Sequence, residues 1–282
     1  MKPPQSIKCA FPARPAESHK YSVGTVAVVG GCASYPNAPV MAGLGARAAG
    51  AGLVRLVVPD ASRCCAGALL PEATFAELSA RTAIPKADVV VVGMGLGRSE
   101  ESEAVFAHIL QGRIERLVLD ADALFLLAEW GERLGGFVPD PEREIVLTPH
   151  EGEAARLLGV DRSQVAADRP WAVRKIADIY HATVVLKGPR TLVSSPDGER
   201  VFENDTGNPF MALGGMGDLL SGAIGARWAY LRDDAFAAAT SAVWLHGAAS
   251  DMLVESGGDP SIVNTAAAIG SLRVRLERGG NA

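Results

Sequence analysis

The sequence predicts a single α/β domain with a mostly parallel central sheet and helices on both of its faces. Short, uninterrupted runs of Val, Ile and Leu recur along the chain with helical patterns between them, as parallel strands buried on both faces require. The Gly-rich and polar motifs fall at the carboxyl ends of those runs, where open α/β sheets bind their ligands.

In chain order, residues 1–22 read as a loose lead-in and residues 23–282 as the domain. Thr25–Val29 is a buried strand ending at Gly30 and Gly31, followed by a helix of small residues over 38–49. Strands are predicted at 54–58, closed by Pro59, and at 88–92, running into Gly93-Met94-Gly95-Leu96-Gly97. Ser99 suits the cap of the next helix, with Glu100 and Glu101 at its positive end. Further strands fall at 117–119, ending at Asp120, at 145–147, ending at Thr148-Pro149-His150, and at 183–186, ending at Lys187-Gly188. Residues 191–195 and 200–202, around Pro196-Asp197-Gly198, form a hairpin. The chain closes with helices over 217–230, 235–254 and 262–276.

Composition narrows the function. The net charge of -5 provides no positive field for nucleic acid or anionic lipid, so any phosphate must be met by local amides, a few cations and a metal. The four cysteines, Cys9, Cys32, Cys64 and Cys65, make neither a disulfide framework nor a zinc site, and suit a reducing, cytoplasmic setting. The first residues lack the apolar core of a signal peptide, and no stretch reads as a transmembrane helix.

The richest motif is Asn204-Asp205-Thr206-Gly207-Asn208-Pro209 followed by Gly214-Gly215-Met216-Gly217-Asp218 at the start of a long apolar helix. Free N–H groups at a helix start, with glycines permitting close approach, make an anion site. An Asp there suits a general base toward a substrate hydroxyl; its bland alternative is a helix cap. Lys187-Gly188-Pro189-Arg190-Thr191 follows a strand and offers a cation, a backbone approach and a hydroxyl to a phosphate, or else forms a basic surface turn. In Thr148-Pro149-His150-Glu151-Gly152-Glu153, His150 is read as functional and the Glu residues as partners of the helix dipole. In Leu119-Asp120-Ala121-Asp122, the second carboxylate is read as a helix cap and Asp120 stays open between metal-bound water, substrate and structure. Gly30-Gly31-Cys32 lacks the G-x-G-x-x-G of a dinucleotide turn, His246 reads as a satisfied core histidine, and Cys32 has no paired base.

Taken in order, these segments resemble the ADP/ATP-dependent NAD(P)H-hydrate dehydratases of the ribokinase superfamily, from about Lys20 to the last helix. The resemblance implies a ribokinase-like fold and dehydration of the S epimer of NADHX or NADPHX. NAD(P)H is restored, and ADP (or ATP), with Mg2+, is the cosubstrate; ADP yields AMP and phosphate. It implies that Ala38, Gly95, His150 and Asp218 bind the hydrate, with Asp218 as the base. It assigns the nucleotide to Lys187, Gly188, Pro189, Arg190, Thr191, Gly215 and Gly217. It also implies a homo-oligomer. Many relatives carry an N-terminal epimerase domain for which this chain is too short, so a separate epimerase, or action on one epimer only, is expected. Cys32, Asn37 and Phe210 depart from the family pattern, which has Ser, Gly and Gly there. The rival readings are a small-alcohol kinase using the same Asp218, a nicotinamide-dependent oxidoreductase, and a non-catalytic nucleotide-binding regulator.

Overall fold

A computed structural model describes residues 3–79, 82–133 and 142–279. The chain runs α1 (Gln5–Cys9), β1 (Thr25–Val29), α2 (Ala38–Ala49), β2 (Leu53–Val58), α3 (Asp60–Leu69), β3 (Thr74–Glu77), β4 (Val89–Val92), α4 (Glu100–Gln111), β5 (Arg116–Leu119) and α5 (Asp122–Arg133). It continues through β6 (Glu144–Leu147), α6 (Glu151–Leu158), α7 (Arg162–Ala167), α8 (Arg169–Tyr180), β7 (Thr183–Leu186), β8 (Leu192–Ser194), β9 (Val201–Glu203), α9 (Met216–Leu231), α10 (Ala235–Glu255) and α11 (Ile262–Glu277). The strands form one sheet in the order β3-β2-β1-β4-β5-β6-β7-β8-β9, parallel from β3 to β7 and antiparallel through β8 and β9.

Strand alternation explains the two cores. Val26 and Val28 face α2, α9, α10 and α11, whereas Ala27 and Val29 face the layer of α4, α5, α6 and α8. The expected α/β architecture is therefore present, with every expected strand in place to within a residue or two. The edge strand β3 escaped the sequence reading because its residues are mostly exposed and lack an apolar run. The helix α8 escaped it because polar residues interrupt its pattern.

Two features depend on close packing. A Cβ on Gly222 of α9 would stand 1.7 Å from the Ala42 carbonyl of α2, and one on Gly45 would stand 1.9 Å from the Leu219 carbonyl. The small-residue composition of α2 is thus what lets the two helix backbones touch. The segment expected as a loose lead-in instead carries α1 and packs onto the domain through buried Ile7 and Phe11. The fully buried Arg227 guanidinium lies 4.2 Å from the Phe11 ring and donates to the Ala10 carbonyl. Glu277 answers that charge and also pairs with Arg14 at 3.0 Å and Arg273 at 2.6 Å. These anchors are distant in sequence, so a local pattern did not reveal them. No described helix is long and apolar enough to cross a membrane.

Candidate active site

Parallel pairing sets the carboxyl ends of β1, β4, β5, β6 and β7 side by side at one end of the sheet. The loop after β1 joins the loop after β4 through the Gly31 N–H, which donates to the Met94 carbonyl at 3.0 Å. A Cβ on Gly95 would stand 2.7 Å from Tyr35 Cβ and 3.1 Å from Ala38 Cβ. Ala38 and Gly95, distant in sequence, therefore form one wall, and the adjoining Tyr35 is 63% exposed. Asp122 is not the helix cap the sequence suggested. It is the first residue of α5, and its carboxylate accepts from the Gly97 N–H and from Arg98 Nε, each at 2.9 Å.

The centre of the site is a charged cluster. Asp120, 1% exposed at the end of β5, holds the Lys187 ammonium at 2.6 Å through Oδ1. Its Oδ2 accepts from Ser221 Oγ on α9, and Oδ1 also accepts from the Ala121 N–H at 2.9 Å. Lys187 Nζ lies 3.8 Å from Glu153 Oε2, and a Cβ on Gly217 would stand 3.5 Å from it. Lys187 is therefore turned inward to carboxylates rather than outward as a basic surface turn. Burial by itself would favour the neutral amine, but Asp120 and Glu153 outweigh it and hold the Lys187 pKa above the ordinary lysine value. Burial pushes the Asp218 carboxyl up to about 7, with Asp120 adding to the rise and Lys187 opposing it. Burial raises Glu153 to about 7 as well, again against the pull of Lys187. Two carboxyl groups thus have pKa values raised toward neutrality, as suits acid–base chemistry.

His150, read from the sequence as a functional residue, is also the N-cap of α6, and Glu153, read as a partner of the helix dipole, completes its capping box. Its Nδ1 accepts from the N–H groups of Gly152 at 3.0 Å and Glu153 at 3.2 Å, while Glu153 Oε2 accepts from the His150 N–H at 2.8 Å. With Nδ1 an acceptor, the proton of the neutral ring sits on Nε2. Burial first, then Lys187, lowers the His150 pKa, so the ring stays neutral and offers an N–H donor to a ligand.

The start of α9 completes the arrangement. Gly215 occupies its N-cap with φ 94°, and no side chain caps the helix. A Cβ there would stand 2.1 Å from Met41 Sδ, the far end of a flexible side chain, so it is the positive φ that calls for glycine. The uncapped amides that follow carry the partial positive charge of the helix start. Beside them runs the Lys187–Thr191 loop. Arg169 supports that loop, donating to the Pro189 carbonyl at 2.7 Å and the Leu186 carbonyl at 3.2 Å. Thr191 Oγ1 donates to the Gly188 carbonyl at 3.1 Å. Arg190, with φ 57°, is exposed and pairs with Glu203. Phe210 is 64% exposed in the turn that precedes the helix.

The structure thus brings together Asp218, Gly217, Lys187 and Asp120, and joins His150 to them through Glu153. Ser221 and Arg169 were missed by the sequence reading, and Glu153 was read only as a dipole partner. The signal for Ser221 was its place one turn beyond Asp218, on the same helix face. His246 is buried as expected but is not satisfied: its Nε2 has no hydrogen-bond partner, and burial lowers its pKa to about 4. Among the described residues no group of three or more His, Cys, Asp or Glu is placed to hold a metal ion. The Lys187 ammonium already lies between Asp120 and Glu153. A Mg2+ ion would therefore depend on nucleotide phosphates and water for its ligands.

Residues 26–269 match the family model described as NAD(P)H-hydrate dehydratase. The chain belongs to the NAD(P)H-hydrate dehydratase family. It is 42% identical over 250 residues to the ADP-dependent (S)-NAD(P)H-hydrate dehydratase of Neisseria meningitidis serogroup B, covering 88% of this chain and 83% of that one. It is 40% identical to the bifunctional NAD(P)H-hydrate repair enzyme of Gloeobacter violaceus, covering 89% of this chain and 49% of that protein. The chain therefore spans about half the length of that bifunctional relative. Among solved structures, the ADP/ATP-dependent NAD(P)H-hydrate dehydratase of Bacillus subtilis, co-crystallised with ATP and Mg2+, superposes with a TM-score of 0.84 at 28% identity, covering 96% of each chain. The hydroxyethylthiazole kinase of Pyrococcus horikoshii shares the fold, with a TM-score of 0.58 at 16% identity.

Proposed function

We propose that this chain, a hydro-lyase by family, dehydrates the S epimer of NADHX or NADPHX and restores NAD(P)H, with ADP cleaved to AMP and phosphate. The observation that carries the reading is Asp218: a partly buried carboxyl with a pKa raised to about 7, in the first turn of an uncapped helix and within the electrostatic reach of Asp120 and Lys187. A base and an anion site adjoin there, as phosphoryl transfer to a hydroxyl requires.

In this reading Ala38, Gly95 and His150 hold the hydrate. The Lys187–Thr191 loop, with Gly215 and Gly217, holds the nucleotide. Asp218 takes the proton of the added hydroxyl as its oxygen attacks the terminal phosphorus. The phosphorus–oxygen bond to the nucleotide breaks, and AMP departs with that electron pair. Amides at the start of α9 stabilise the moving phosphoryl charge. Mg2+, when bound with the nucleotide, supplies further neutralisation of that charge. The ring nitrogen lone pair then expels phosphate from C6.

Purified protein is mixed with a verified NADPH hydrate and Mg2+, with ADP and ATP added separately. The expected result is a nucleotide-dependent rise in absorbance at about 340 nm, larger with ADP. No rise with either nucleotide, and a stable phosphoester from a small alcohol instead, would make the chain a kinase. Replacing Asp218 with Asn is expected to keep nucleotide binding and lower turnover by roughly two to four decades. Near-normal turnover would remove Asp218 as the base. We further propose a cytoplasmic homo-oligomer with a functional link to NAD(P)H-hydrate epimerase activity. The free cysteines suit a reducing compartment, and light scattering tests the assembly.

A further inference from the structure

We propose that Glu153 is a second catalytic base, taking the C5 proton of the nicotinamide ring after phosphate has left; the proposal rests on the dehydratase reading above. The chemistry demands such a group. Hydration places OH on C6 and H on C5, so dehydration must remove both. Asp218 takes the hydroxyl proton and returns it to phosphate, which leaves as hydrogen phosphate with the C6–O electron pair. The ring nitrogen lone pair becomes a C=N bond, giving an iminium. To restore the reduced ring, the C5–H bond must break. Its electrons form C5=C6, the iminium pair returns to nitrogen, and the proton goes to a base.

Asp218 is badly placed for that last step. In the dehydratase reading it serves the C6 oxygen, and that oxygen now belongs to the phosphate. The other carboxylates of the cluster are engaged. Asp120 is sealed, with one oxygen on Lys187 and the other on Ser221. Asp122 is held by the Gly97 N–H and Arg98. Glu153 alone combines partial exposure with a weakly held oxygen: Oε2 accepts from the His150 N–H, whereas Oε1 lies 3.4 Å from His150 Nε2. It stands next to His150, which is read as a hydrate-binding residue, and Lys187 at 3.8 Å favours its ionised form before the proton arrives. A pKa raised to about 7 leaves it basic enough to accept an iminium α-proton at neutral pH.

The test is Glu153→Gln, read as the ratio of phosphate released to NADPH formed in one reaction. Gln at this position retains the acceptor for the His150 N–H, so the cap of α6 survives. Wild type is expected to release one phosphate per NADPH. In the variant the iminium persists and water re-adds at C6, so the ratio is expected to rise at least about threefold. Hydrate deuterated at C5 is expected to slow NADPH formation by the variant without slowing its phosphate release. Glu153→Asp, which keeps a carboxylate, is expected to restore coupling in part. A ratio that stays at one in the Gln variant, whatever its rate, overturns the proposal. Equal isotope effects on phosphate and NADPH also overturn it. If wild type releases no hydrate-dependent phosphate, the dehydratase reading itself falls, and this proposal with it.

Discussion

At the residue scale, the decisive chemistry is how one lysine sits among carboxylates. Asp218 must be ionised to accept a proton, so kcat/KM is expected to rise with pH through about 7. Lys187 lowers the Asp218 pKa, so Lys187→Met should move that rise to higher pH as well as weaken nucleotide binding. A pH profile that stays in place would show that Lys187 serves the nucleotide alone. The same groups tie stability to pH. Asp218 and Glu153 have folded pKa values raised above their ordinary ones, so the native state binds more protons than the unfolded state between about 4 and 7. Stability should therefore fall as pH rises through that window. Asp218→Asn should be more stable than wild type at pH 8, by an amount of the order of 1–3 kcal/mol. Denaturant unfolding at pH 5 and pH 8 checks this, and equal differences at the two values would refute it.

At the element scale, the site depends on α9 lying against α2. The Gly222 and Gly45 contacts fix the height of α9, and with it the place of Ser221 on Asp120 and of Asp218 one turn before it. Gly222→Val would push a branched side chain into the Ala42 carbonyl. It should cost at least about 1–3 kcal/mol and lower turnover through displacement of Asp218. Thermal unfolding with a hydrate assay reads both effects; an unchanged midpoint would mean that the helices separate freely. The capping box at α6 is a second such device. It orients His150, fixes its tautomer and leaves Glu153 beside Lys187. The motif around His150 was legible in sequence, but its division of labour was not, because a cap and a ligand contact require the same residue types.

At the scale of the whole molecule, the first residues and the last helix hold each other. Arg227 lies buried between the N-terminal segment and Glu277, and burial, only partly offset by Glu277, lowers its pKa to about 10. Arg227→Met should release the segment before β1 to limited proteolysis at least about tenfold faster, because the Phe11 stack and the Ala10 hydrogen bond are lost together. The sheet and nucleotide binding should persist. Cleavage at the wild-type rate would show that Ile7 and Phe11 hold the segment without Arg227.

The sequence by itself determined the α/β class, nearly every strand, the helix start near Asp218 and the family. Each rests on short-range pattern: apolar runs, glycine placement and the order of motifs. Tertiary structure alone decided that Lys187 turns inward to Asp120, that Ser221 and Arg169 support the site, and that the N-terminal segment is packed. Those contacts join residues far apart in the chain. Burial then decided which carboxyl groups hold protons near neutral pH, because desolvation depends on what the fold places around a charge and not on its sequence neighbours.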